Sequence, residues 1–199
     1  MKRAGINRRQ LKRTISKGLS YKFKKHITRK ARTDVERAKT LMLAEFLNHS
    51  VTKEIKGGKN ASNLSGTLGG YGNLFSFIGF DSTDRPIPPV QRILESHTKL
   101  ISVTQVAKGD LAFEVVIDMP SRDNLAKAAP MPWAAARSWI IGIEQGLSGL
   151  GNFLVKPGGR SGGGIQVDGV IRGGRFKNTK YISEIINHLQ SNLIRFLKT

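Results

Sequence analysis

Cysteine is absent from the 199-residue chain, which excludes disulfide frameworks, thiolate nucleophiles and cysteine-based metal sites. Histidine is scarce. His26, His49, His97 and His188 lie far apart, and none falls in an H-E-x-x-H or H-x-x-E-H spacing, so a zinc-hydrolase helix is not expected. No apolar run approaches the roughly 20 residues of a membrane span. No apolar segment follows the basic start, so a secretory signal is not expected either, and no membrane partner. An Arg-rich, acid-poor start also suits an organelle transit peptide, but this one is patterned as a helix. No G-x-x-x-x-G-K-[ST] loop occurs, and no cofactor, metal or catalytic residue is expected.

Acidic residues are few and unevenly placed. The formal net charge is +19 and the isoelectric point near 10.7. None of the 14 acids precedes Asp34, whereas thirteen of the 33 cations do. Besides Lys2 and Arg3 these are Arg8, Arg9, Lys12, Arg13, Lys17, Lys22, Lys24, Lys25, Arg29, Lys30 and Arg32. Such a surplus repels itself and needs phosphates or an acidic protein face to meet it. These residues, with Arg160 in a later glycine-rich stretch, are the candidate contacts to a partner or to DNA. The arm's only aromatics are Tyr21 and Phe23, too few for a dedicated single-strand binder. No helix-turn-helix, zinc-finger or RNA-recognition signature accompanies them.

The chain divides into a basic arm, residues 1–33, and one domain, residues 34–199. In the arm Leu11, Ile15, Leu19, Phe23 and Ile27 recur every fourth position, a slowly drifting helical stripe. Gly18 interrupts it and predicts a kink or two short helices. The alternative is a flexible cationic tail; the helical reading makes it an arm that orders against a neighbour. Removing residues 1–32 is then expected to leave a folded monomer that assembles poorly. Thr33-Asp34-Val35-Glu36 reads as a capping box that opens a helix ending near Ile55, before Gly57-Gly58.

Gly57 to Gly72 reads as a linker, Leu74 to Phe80 as a strand, Pro86 to Pro89 as a loop and Val90 to Ser96 as a short helix or turn. Lys99 to Ala107 and Asp110 to Met119 predict a hairpin about Lys108-Gly109, with Leu111, Phe113, Val115, Ile117 and Met119 on one face. Ser121 to Ala129 reads as a capped helix and Ser138 to Glu144 as a strand. Glu144 is a polar anchor at its end rather than a lone catalytic acid. Gly146 to Gly174 is glycine-rich and without assignment. Its Gly158 to Gly164 run, like Gly66 to Gly72, can cradle phosphate with its amides, but neither sits between a clear strand and a helix start. From Tyr181 to Lys198 an amphipathic helix is predicted, with Ile182, Ile185, Ile186, Leu189, Leu193, Ile194 and Leu197 inward. Together these give an α+β fold: N-terminal helix, small antiparallel sheet and amphipathic C-terminal helix, with glycine-rich loops.

The order of elements resembles the neck and tail-completion (tail terminator) proteins of tailed bacteriophages. The helix after Thr33, the strands from Lys99 to Met119 and the helix from Tyr181 take the corresponding places over residues 34–199. The segment from Asn63-Leu64-Ser65 through Phe75-Ser76-Phe77-Ile78-Gly79-Phe80 also looks like structural proteins of contractile-tailed phages. The resemblance carries no functional residue across. It implies a non-enzymatic virion protein in a ring, commonly hexameric, between head connector and tail. Its partners would be copies of itself and connector, tail-tube or sheath proteins, with DNA touched only through phosphates. The long loop and the extra arm also suit a baseplate or tube-end station. A sequence-nonspecific ribosome- or nucleoid-type binder explains the charge equally well, and a nuclease is the remaining alternative.

Overall fold

A computed structural model describes residues 8–69, 72–107, 112–146 and 178–198, with only the backbone given for 8–18. The fold is α+β: among the described residues there are seven α-helices and two small antiparallel sheets, with long helices at both ends. The Lys108-Gly109 turn and all of the 146–174 stretch beyond Gly146 lie outside the described residues.

Helix α1 runs from Arg8 to Asn48 without a break, 41 residues or about 60 Å at 1.5 Å per residue. The division into two short helices expected at Gly18 is absent, and so is the cap at Thr33. A mid-helix glycine disfavours helix by only about 1 kcal/mol, and the helical residues on both sides outweigh it. The Thr33 hydroxyl donates backwards to the Arg29 carbonyl at 3.1 Å. Glu36 pairs with Lys39 at 2.9 Å. Thr and Ser serve equally as caps and as back-bonded residues inside a helix, and here the second use holds. One helix therefore crosses the residue-33 boundary. Ala31 is buried and the Ser20 hydroxyl donates to Gln105 at 2.7 Å. Contact with the body thus begins by Ser20, and a cut through residue 32 would remove part of the core.

The helix expected to continue to Ile55 breaks at His49 and resumes as α2, Ser50–Lys56. His49 has an extended ψ of 139°, and its ring nitrogen Nδ1 accepts from the Val51 amide at 3.3 Å. A 3-10 turn, Gly58–Asn60, follows within the expected linker.

Leu74 to Phe80 and Ser138 to Glu144, both expected as strands, are instead helices α3, Leu74–Ile78, and α6, Trp139–Gln145. Each buries residues at i, i+1 and i+4: Leu74, Phe75 and Ile78 in one, Trp139, Ile140 and Ile143 in the other. A short apolar run does not by itself separate a strand from a buried helix, and tertiary packing decided both. Helix α3 is capped by Asn73, whose side chain accepts from the Ser76 amide at 2.9 Å. It ends at Gly79, whose φ of 88° would strain any residue with a β-carbon, and a β-carbon there would stand a tight 3.3 Å from Trp133 Cδ1. Pro86 to Pro89 is not a loop throughout: α4 spans Ile87–Ser96 with its prolines in the first turn, where their missing N–H groups cost nothing.

Strands β1, Lys99–Gln105, and β2, Phe113–Asp118, pair antiparallel in the register Leu100↔Ile117, Val103↔Val115 and Gln105↔Phe113, with an irregularity at Ile101. Phe113, Val115 and Ile117 share the half-buried face and Glu114 and Val116 the open one, as the alternation predicts. Helix α5, Arg122–Ala128, is capped by Ser121 as expected. A two-stranded ribbon follows, β3, Pro130–Met131, with β4, Ala134–Ser138.

Helix α7, Ile182–Lys198, lies antiparallel along α1. Lys30 bonds to the Phe196 carbonyl near one end, and His188 bonds to Glu45 at 2.7 Å near the other. Its buried face is Ile182, Ile185, Leu189, Leu193 and Phe196. Ile194, expected inside, is 55% exposed, and Phe196 replaces it. Burial of these five side chains contributes about 1.5–3 kcal/mol each.

Tyr181 is the hub. Wholly buried, it lies near the rings of Phe46, His49 and Trp139, and its hydroxyl shares a 2.7 Å bond with the Thr52 hydroxyl. Burial pushes its phenol well above the usual tyrosine range. Burial likewise lowers the His49 pKa below 6.5, against opposing pulls from Glu184, Glu45 and the Lys180 backbone. The unfolded chain therefore takes up this proton first as pH falls. Stability from His49 is complete above pH 6.5 and declines between 6.5 and the lower folded value. Melting curves taken from pH 7.5 down to 5 should show this decline. In His49→Asn, which keeps a capping acceptor, the slope should be shallower; an unchanged slope would assign it to other groups.

Candidate partner and nucleic-acid interface

The cationic candidates fall into three groups. Arg8, Arg9, Lys12, Arg13 and Lys17 occupy the first turns of α1. Lys22, Lys24, Lys25, Arg29 and Arg32 stand exposed along the next three turns, whereas Lys30 is half-buried. Its ammonium donates to the Asp34 carboxylate and to the Phe196 carbonyl, both at 2.8 Å. Lys30 is thus a C-terminal cap for α7, placed where the helix dipole favours a cation, and not a free contact. Arg160 lies outside the described residues.

Tyr21, Lys24, Lys25, Thr28, Arg29 and Arg32 line a shallow depression of about 360 Å³ on α1. Tyr21, at its edge, is 70% exposed. The arrangement is a comb of guanidinium and ammonium groups at helical spacing. Such a comb grips a row of phosphates or carboxylates without reading a base sequence.

Apolar side chains run along a different face of α1 from the comb. The four-residue series of the arm turns about 40° per step on a 3.6-residue helix. Ala31 faces the core and is 1% exposed. Ile27 is half-buried, Phe23 is 42% exposed and Leu19 48%. The stripe therefore leaves the body as it approaches the N-terminus. The spacing predicted an apolar stripe; its rotation away from the core emerges only once the packed end is known.

A cavity lies toward the other end of α1. It has a volume of about 610 Å³, a floor that includes Ile55, Phe75 and Ile87, and Lys56, Lys59 and Arg85 at its edge. Sequence reasoning missed it, because four separate segments, at Leu47, 55–60, Phe75 and 82–91, build it. Asp84, its single carboxylate, accepts from the Asp81 amide at 2.7 Å. Glu144 does act as an anchor, but from a helix: it accepts from the Ser183 amide at 2.6 Å and secures the start of α7. Among the described residues no three His, Asp or Glu side chains are grouped to hold a metal ion, and no helix is long and apolar enough to cross a membrane. Comparison with known protein families, curated proteins and solved structures gives no match.

Proposed function

We propose that this chain is a structural, non-enzymatic subunit of a tailed-phage virion, at the neck or tail-completion position, where copies form a ring between head connector and tail. The observation that carries the reading is α1. A continuous helix begins a dozen residues before its Ser20 contact with the body, and its sequence over that length has cations and no acids. Its Leu19 and Phe23 stand 48% and 42% exposed and would gain burial against a neighbouring subunit. The α+β body between two long helices agrees with the architecture that the sequence resembles. A baseplate or tube-end station would use the same features.

Removal of residues 1–17 spares every described contact between α1 and the body. The truncated chain should melt within a few degrees of the full chain and yield fewer oligomers in sedimentation. Equal sedimentation profiles would reject the arm as an assembly device.

The comb along α1 favours one second reading, a sequence-nonspecific nucleic-acid binder. That reading demands a duplex affinity that drops by about three decades or more between 50 and 200 mM salt. A shallow salt slope, with oligomers that persist, supports the virion role.

A further inference from the structure

Two of the four segments around the cavity beside Ile55 carry its charge. Residues 55–60 close α2 and form the 3-10 turn; residues 82–91 lead into α4. Polar bonds hold both. The Asn73 side-chain amide donates to the Lys59 and Ala61 carbonyls at 2.8 and 3.0 Å. The Arg85 guanidinium donates through Nη1 to the Ser82 and Asp84 carbonyls at 3.0 and 2.9 Å. The cavity is therefore shaped in advance of any ligand, which reduces the ordering cost of binding. Its volume, about 610 Å³, lies in the range of ligand pockets.

The lining has an apolar half and a cationic half. Ile55, Phe75 and Ile87 are buried beneath it, and Lys56, Lys59 and Arg85 stand exposed at its edge. Among the described residues none of these three cations forms an ion pair. Asp84 is already engaged by the Asp81 amide. Asp81, which does not line the cavity, accepts from the Thr83 amide and hydroxyl at 3.0 and 3.1 Å; these bonds, and to a lesser extent Lys59, hold its carboxyl below the usual range.

We propose that this cavity binds the C-terminus of another protein chain, its last aliphatic side chain on the apolar floor and its terminal carboxylate among Lys56, Lys59 and Arg85. The inference goes beyond the virion reading and does not depend on it. With Nη1 on two carbonyls, Arg85 keeps Nε and Nη2, the side-on fork that a carboxylate fits. Asn60 and Gln91 add side-chain amides, which complement a peptide main chain. An acidic side chain inside a partner's sequence would bring the charge without the apolar group beside it. A fatty acid would use floor and cations but leave both amides idle. A nucleotide fits worse, because Phe75, the one aromatic of the lining, is 5% exposed and offers no face to a base.

The test uses the full chain and fluorescent peptides of about six residues. One ends in Leu with a free carboxylate; the controls are the same peptide as a C-terminal amide and a free acid that ends in Ser. The Leu acid should bind about tenfold tighter or more than either control, as the loss of one charged hydrogen bond or one buried side chain implies. Lys59→Gln with Arg85→Gln should abolish the preference for acid over amide while the melting temperature stays within a few degrees of the parent. Lys56→Gln with Lys59→Gln, which leaves the Arg85 bonds in place, should weaken that preference severalfold. Equal binding of acid and amide would overturn the proposal, and so would a preference that survives in both variants. Octanoate that binds as tightly as the peptide would also overturn it, since the occupant would then be a lipid-type anion. Assembly without peptide binding overturns this inference alone; peptide binding in a chain that never assembles overturns only the virion reading.

Discussion

Leu189→Asp is expected to leave little folded protein at 25 °C, whereas Leu189→Ile should melt within a few degrees of the parent. Leu189 is 1% exposed at the centre of the buried face of α7. The aspartate forfeits about 2–3 kcal/mol of apolar burial. It also places a carboxylate among Ile185, Leu193 and their neighbours in the core, where it shifts its pKa or opens the structure, at several kcal/mol more. That total is comparable with the whole stability of a typical domain, about 5–15 kcal/mol. The isoleucine keeps volume and polarity and should cost under about 1.5 kcal/mol. Parallel thermal melts of the two variants decide; coincident curves would mean that α7 does not pack as described.

The second large effect is expected at Glu54, which sequence inspection passed over. It is fully buried on α2, and its two carboxyl oxygens accept from the Leu74 amide at 2.7 Å and the Ser65 amide at 2.8 Å. One side chain thereby fixes the start of α3 and the loop before it, and the Asn73 cap completes the corner. Glu54→Ala strands two donors, one of them buried, at about 1–3 kcal/mol each. Glu54→Gln keeps one acceptor oxygen and should lose roughly half as much. Chemical denaturation measures the order: parent, then Gln, then Ala. If Ala is as stable as Gln, water or a local shift satisfies both amides and Glu54 is not the clasp.

Leu189 and Glu54 also mark what can be read from sequence. The α7 stripe was legible because seventeen residues repeat one period, and the β1–β2 hairpin because its alternation is regular. The one misplacement in α7, Ile194 for Phe196, goes against the period itself: Ile194 stands about 120° around the helix from Ile182, and Phe196 only about 40°. Helices α3 and α6 are too short for a period to show, so their β-branched and aromatic content suggested strands. The box at Thr33 failed because its residues hydrogen-bond equally well within a helix. Glu54 and Tyr181 were illegible for another reason. Their partners lie 11, 20 and 129 positions away, and no local pattern encodes such a meeting.

At the interface the cations were plain in the sequence, but their sorting was not. Lys30 looked like its neighbours until α7 came down beside it and the Phe196 carbonyl accepted its hydrogen bond. Leu19 and Phe23, read from their spacing as part of the arm's stripe, stand exposed where Ile27 and Ala31 are progressively buried. The same spacing that buries Ala31 exposes Leu19.

The mass of the purified full-length chain in solution, by light scattering at about 300 mM salt where repulsion between cationic copies is screened within several ångströms, addresses the account most directly. A subunit built for a ring should give a multiple of the 21.9 kDa chain mass that falls when residues 1–17 are removed. A single-chain mass at every concentration tested, unaffected by that truncation, would contradict it.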